Sequence, residues 1–288
     1  MKNLLLGLCV LVAGHVVKAQ NVNDILARMD TAAPSFHAIA ADVRMLTYTA
    51  ILSDTTTEDG TLKMQRLNSG DLRAIIDFSR RTDARVIAFL GKIVRIYYPK
   101  LHEYQDYDIG KNSNMVNQFL LLGFGSSGRE LAQSYNITFA GSEKVAGQDT
   151  SKLLLIPKDR KVLEHLKQAQ IWIPNDAAYP VQQQFDEPSG NYRRATYSNI
   201  QLNPPVQGVL ALQLPPGTKR QSHAKRRAPT IHRQPGQSRR EGPGFGVEYP
   251  VRGFGGYHQA RSTRFRRDGV IAARTWGSVV GLACRRQV

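Results

Sequence analysis

The sequence predicts a mainly β protein with short helices: an open, incomplete antiparallel β-barrel with a helical lid, followed by a disordered C-terminal tail. Three observations predict it. About a dozen short segments of strand character follow one another at near-regular spacing. They are separated by turn residues such as Asn68-Ser69-Gly70, Gly91-Lys92 and Pro188-Ser189-Gly190-Asn191. Such spacing indicates one large, curved antiparallel sheet or open barrel. Apolar helical stretches then interrupt the meander between residues 112 and 134, where they can cover a barrel mouth. Finally, the composition changes abruptly near residue 220.

The chain opens with a short basic head, Met1-Lys2-Asn3, and an apolar run over residues 4–14. Val17-Lys18-Ala19 then places small or β-branched residues at the outer and inner positions of a cleavage site before Gln20. This is the layout of a secretory signal peptide, residues 1–19, cleaved near Ala19; the run is too short to span a bilayer. Cys9 lies inside it behind Leu8, where lipid attachment needs a small residue, so it is expected to leave unmodified with the signal. The other cysteine, Cys284, stands in the tail. The exported domain, residues 20–220, therefore has neither a disulfide nor a thiolate metal site. No later segment approaches the roughly 18 apolar residues of a membrane span, so a soluble mature protein is expected.

Asn23 is placed to cap a short helix in which Ile25, Leu26 and Met29 form an apolar stripe, ended by Pro34. Residues 36–52 alternate, with Ile39, Ala41, Val43, Met45 and Ile51 on one face and Asp42 and Arg44 on the other. That is the period of a half-buried antiparallel strand. Further strands are expected at 61–66, 72–78, 85–90, 93–99, 103–108, 135–140, 151–156, 170–173, 181–185, 192–202 and 210–214. In 112–122, Met115, Phe119 and Leu122 fall at helical spacing. Ser127-Gly128-Arg129-Glu130 is a capping-box pattern opening a second helix through Ser134. Residues 159–168 read as a third helix, with Val162, Leu163 and Leu166 inward.

Charge separates the domain from the tail. Residues 221–288 hold 13 Arg and one Lys against three acids, leaving +11 of the +16 total, whereas residues 20–220 carry only +3. The tail has one leucine, Leu282, among 68 residues and no sustained periodicity, which predicts disorder. Arg252-Gly253-Phe254-Gly255-Gly256-Tyr257 is similar to RNA-binding segments, yet an exported protein rarely meets RNA. Anionic lipid head groups are the better target for a working tail. A shifted or run-on reading frame after residue 220 is the preferred explanation of the abrupt change in composition, and no nucleic-acid partner is expected.

Catalytic motifs are weak. Gly123-Phe124-Gly125-Ser126-Ser127-Gly128 has dinucleotide-fingerprint spacing, but a helix rather than a strand precedes it. The same context rejects a nucleophile elbow around Ser126 and Ser127. His37, His102 and His165 occur singly, with no metal-ligand spacing. No enzyme activity, cofactor or metal is expected. Arg66 is more informative, because it follows Leu62 and Met64 onto the inward face of its strand. A guanidinium there either finds carbonyls or a carboxylate, or marks the strand's end and reaches solvent. Phe78, Phe89, Tyr97, Phe119 and Phe124 are core residues, some of which can line a cavity.

Pro34-Ser35-Phe36-His37-Ala38, Gly60-Thr61-Leu62-Lys63-Met64-Gln65-Arg66, Ile93-Val94-Arg95-Ile96-Tyr97-Tyr98-Pro99 and Leu214-Pro215-Pro216-Gly217-Thr218 follow one another in an order that resembles the LolA family of periplasmic outer-membrane lipoprotein carriers. The resemblance spans roughly residues 21–220. It implies an open barrel lidded by short helices, with lipoprotein acyl chains held in a hydrophobic cavity. Leu62, Met64, Phe78, Phe89, Tyr97, Met115, Phe119, Leu122 and Phe124 become candidates for the cavity or its lid. It implies that Arg66 hydrogen-bonds lid backbone and latches the empty carrier shut, although Leu67 stands where the best-known members have proline. The implied partners are acylated lipoproteins, an inner-membrane lipoprotein-releasing transporter and an outer-membrane acceptor; the implied location is the periplasm, as a monomer. A lipoprotein-sensing regulator built on the same barrel, or a carrier of another lipid or glycolipid, is the alternative.

Overall fold

The computed structural model describes residues 21–79, 83–110 and 113–221, the side chains of Asn114, Met115 and Gln118 excepted. The expected signal peptide, the tail from residue 222 and the Met115 side chain lie outside the described residues.

Helix α1 (Val22–Ala32) buries Ile25 and Met29. Its cap is Asn21 rather than Asn23: Asn21 is extended, so its side-chain oxygen accepts the Asn23 N–H at 3.2 Å. The chain then forms β1 (Ala38–Thr49), β2 (Asp54–Arg66), β3 (Leu72–Asp77), β4 (Val86–Leu90), β5 (Ile93–Tyr98) and β6 (Glu103–Asp108). Helices α2 (Ser113–Leu120) and α3 (Gly128–Ser134) follow, then β7 (Tyr135–Val145), β8 (Gln148–Pro157), α4 (Arg160–Leu163), β9 (Gln168–Pro174), β10 (Gln182–Asp186), β11 (Tyr192–Leu202) and β12 (Lys219–Arg220).

All 12 strands belong to one sheet, in the order β12-β6-β5-β4-β3-β2-β1-β11-β10-β9-β8-β7. Neighbours are antiparallel except β12, which runs parallel to β6. No ladder joins β7 to β12 among the described residues, so the barrel is open. The order dictates where the lid goes. β6 lies near one end of the sheet and β7 at the other, so the segment carrying α2 and α3 must cross between them. It covers an inner face of aligned apolar rows. Ile39, Met64, Ala74, Phe89 and Val94 pair strand by strand, as do Ala41, Leu62, Ile76, Ile87 and Ile96, and all ten are buried.

Four further expectations are corrected. The 36–52 strand ends at Thr49, and Ile51 lies in a 3-10 turn at 91% exposure instead of on the inner face. The β1–β2 ladder closes at Thr49 and Asp54, so the chain has already reversed there. β2 starts at Asp54 rather than residue 61, because residues 54–59 are all polar and show no alternation. The 159–168 helix shrinks to α4: Asp159 caps it by accepting from Lys161 N–H, and Lys167 N–H donates to Asp186 O at 2.8 Å, drawing the chain into β9. Residues 210–214 form no ladder. Leu210 N–H donates to the Gln65 side chain at 2.7 Å, and the last strand is β12.

Candidate functional site, a lidded apolar cavity

Arg66 is the last residue of β2, and its N–H donates to His37 O at 2.8 Å, which anchors the backbone beneath the side chain. The guanidinium reaches two carbonyls. Nη2 donates to Gly125 O at 2.7 Å, in the loop between α2 and α3, and Nη1 donates to Ala33 O at 3.4 Å, just beyond α1. It also lies 5.2 Å from the centroid of the Phe36 ring. The charge therefore joins the lid loop to the end of the first helix.

The glycines of the 123–128 stretch allow close packing. A Cβ on Gly125 would stand 2.3 Å from Phe36 Cδ1, and one on Gly128 2.3 Å from Leu26 O. Both serines are used within the lid: Ser126 Oγ donates to Leu121 O at 2.6 Å, and Ser127 caps α3 in a capping box with Glu130. Asp30 accepts from Arg129 N–H at 3.1 Å, so α3 also rests on α1.

A second clamp was invisible in the sequence. Gln183 on β10 is buried, donates through Nε2 to Leu122 O, and accepts from Tyr197 Oη at 2.7 Å. Burial pushes the Tyr197 phenol well above its ordinary pKa, so it remains a donor. Its ring meets Phe124 edge-on at 5.0 Å. Leu122 and Phe124 are thus lid residues held from below. Gln182-Gln183-Gln184 has no apolar–polar alternation, and only the flanking Val181 and Phe185 hint at a buried strand.

Under the lid lies an apolar cavity of about 70 Å³. The sheet contributes Val43, Met45, Leu62, Met64, Ile76, Ala195 and Tyr197, and the lid Phe119 and Leu120. Gln183, Phe185 and Arg193 complete the wall. Burial lowers the Arg193 pKa, while Glu187, accepting at 2.9 Å, opposes that shift. Of the candidates, Leu62, Met64 and Phe119 line the cavity. Phe78, Phe89 and Tyr97 do not; they are buried elsewhere, Phe78 beside the Arg85 guanidinium at 5.0 Å. Two larger clefts, of about 320 and 330 Å³, border Arg66 or the groups it contacts, but polar groups such as Asp176 and Gln148 in one, and Asp30 and Glu130 in the other, make them poor hosts for a hydrocarbon.

His37 and His102 are exposed, and the three histidines of the domain lie in three separate connecting segments. Among the described residues no three His, Cys, Asp or Glu side chains are grouped to hold a metal ion, and no helix is long and apolar enough to cross a membrane.

No family model and no curated protein matches the chain. Several solved structures are similar in fold. A Vibrio parahaemolyticus domain described as outer membrane lipoprotein-sorting is 13% identical, with 65% of this chain covering 95% of that one at a TM-score of 0.36. The Mycobacterium tuberculosis lipoprotein LppX is 17% identical over 64% of this chain and 98% of its own, at 0.40. The Pseudomonas aeruginosa MucA/MucB complex gives 15% identity over 69% and 68%, at 0.38. At these identities and scores the likeness concerns fold and decides nothing about ligand.

Proposed function

We propose that this chain is a non-enzymatic periplasmic carrier that shelters the acyl chains of lipoproteins in the cavity beneath α2 and ferries them toward the outer membrane. The observation that supports it best is a closed lid held by side chains over an apolar space too small for cargo. The cavity measures about 70 Å³, whereas ligand pockets commonly run to about 300–1,000 Å³. Movement of the lid would enlarge it, and the lid is tied by backbone carbonyls to Arg66 and Gln183. Such ties break without repacking the sheet.

The energetics suit a carrier. Each buried methylene is worth about 0.8 kcal/mol, so a C16 chain in water costs on the order of 12 kcal/mol. An acylated protein needs a shelter to cross an aqueous compartment, and the shelter must also release it. Charge-assisted hydrogen bonds of about 1.5–3 kcal/mol each are the right size to balance the empty state against the loaded one. On this reading the chain receives cargo at the inner membrane from a lipoprotein-releasing transporter and surrenders it to an outer-membrane acceptor. Native mass spectrometry of protein purified from envelope fractions tests the proposal. Co-purifying acylated polypeptide is the expected result; a glycolipid or phospholipid would identify another cargo, and a ligand-free protein that fails to take up a fluorescent acyl peptide overturns the carrier.

A further inference from the structure

We infer that the β1–β2 hairpin tip is a membrane-contact element, which seats Ile51 and Leu52 briefly in a zwitterionic lipid surface. Ile51 is 91% exposed and Leu52 71%, the highest exposures of large apolar side chains among the described residues. Solitary exposed apolar residues are ordinary on protein surfaces. These two are adjacent and are held outward by a built turn. Ser53 N–H donates to Ala50 O at 3.1 Å to close the 3-10 turn, and Ser53 takes a left-handed φ of 48°. A left-handed serine persists where its surroundings impose it. The neighbouring hairpin supplies that support: Ala50 N–H donates to Asn191 Oδ1 at 2.9 Å, and the Tyr48 and Tyr192 rings stack with centroids 5.0 Å apart.

The collar and the size of the tip select the occupant. Tyr48, Thr49, Thr55 and Tyr192 surround the turn with uncharged groups, and Asp54 is the charge next to it; Arg193 and Arg194 pair with Thr47 and Leu46 further down the shaft, where Arg193 is bound to Glu187 and Arg194 donates to Gln184. Tyrosines are suited to the head-group layer, and the rows next to the turn present no cation to anionic lipid, the two arginines below them being engaged by Glu187 and Gln184. Two aliphatic side chains offer on the order of 200 Å² of apolar area. A stable protein interface takes about 800 Å² from each partner, so the tip is far too small for one. A bilayer requires no complementary surface. Even a myristoyl chain binds membranes only reversibly, so contact through this tip is short-lived. β1 and β2 also carry Val43, Met45 and Leu62 into the cavity wall, while Arg66 closes the opposite end of β2. The use of the tip in loading or delivery rests on the carrier reading; the contact itself does not.

Co-sedimentation of the full chain with sucrose-loaded phosphatidylcholine vesicles tests the inference, against the double variant Ile51→Ser, Leu52→Ser. The expected result is a partition coefficient about tenfold or more lower in the variant, at low and high salt alike, with unchanged melting temperature. A Leu52→Trp variant should show a blue-shifted emission component on adding the same vesicles. Equal partitioning of parent and double variant, or failure of the parent to sediment, overturns the inference. So does binding that requires anionic lipid and vanishes with salt, which would implicate the basic C-terminal residues. Retained vesicle binding with lost binding to protein-containing membranes would identify a protein partner and overturn it too. Uptake of a fluorescent acyl peptide, measured on the same proteins, is expected to be equal. Failure of uptake in both sinks the carrier reading while leaving the vesicle result intact.

Discussion

Arg66 links Gly125 O and Ala33 O, so its hydrogen bonds belong to the closed lid on the carrier reading. Arg66→Leu removes them, which favours the loaded form, while the side chain itself borders a polar cleft and not the cavity. The variant is expected to bind a fluorescent acyl peptide about tenfold tighter and to release it more slowly. Stopped-flow dissociation decides: indistinguishable off-rates would sink the latch. Gln183 should behave differently. Gln183→Leu strands Leu122 O and the Tyr197 hydroxyl in a buried setting, so chemical denaturation should show a loss of about 1–3 kcal/mol. Leu67 departs from the proline of the resembling family for a local reason: its N–H donates to Asp71 O at 2.8 Å across the β2–β3 turn, a bond that proline cannot make. Tyr135 gives a pH expectation. Burial raises its pKa from 10.0 to about 12, so the folded state favours the neutral phenol more than the unfolded chain does. The associated stability is complete below pH 10 and is lost as pH rises from 10 toward 12, as buried Tyr197 also dictates. Tyr135→Phe should flatten part of that alkaline fall in urea midpoints.

Among the elements, α3 depends most on a few identifiable atoms. Its seven residues are too few to be helical alone, and the Ser127–Glu130 capping box supplies two of its terminal hydrogen bonds. Ser127→Ala is expected to cost about 1 kcal/mol and to speed acyl-peptide entry, since the cap loosens the lid without touching the cavity wall; a lower denaturation midpoint with unchanged entry would divorce α3 from gating. This capping box was legible because its side chains act within one turn. β1 and β3 were legible for a similar reason, their inward apolar rows being periodic in sequence. The first half of β2 was not, since Asp54 to Asp59 offers no apolar row and is a strand only because β1 pairs with it. Arg66 could be suspected from alternation, but its partners, 59 and 33 residues away, are set by how the lid crosses the sheet. Gln183 carried no signal at all, because its role depends on where Leu122 and Tyr197 arrive.

At the scale of the molecule, residues 203–218 form a strap from the middle of the sheet to its β6 edge. Asn203 fastens the near end, accepting from His37 N–H at 2.7 Å and Ala38 N–H at 3.1 Å and donating to Ser35 O at 2.7 Å. Gln65 holds its middle through Gly208 O and Leu210 N–H. The far end enters the sheet, with Lys219 N–H donating to His102 O at 2.9 Å and Gln221 N–H to Tyr104 O at 2.8 Å. The Asn203 contacts brace residues 35–38, and Phe36 there supports both Arg66 and Gly125. The strap is therefore connected through Phe36 to Arg66 and the lid loop. Truncation after Leu202 removes all these bonds and should lower stability by about 3–5 kcal/mol, a fall in Tm on the order of 10 °C or more. Truncation after Gln221 keeps every one of them and removes the basic, leucine-poor residues 222–288, which carry +11. That shorter chain is expected to melt within about 2 °C of the full one and to load acyl peptide equally, while losing salt-sensitive adhesion to anionic vesicles. A larger drop in Tm would mean that residues beyond 221 pack against the barrel, and the domain boundary would have to move.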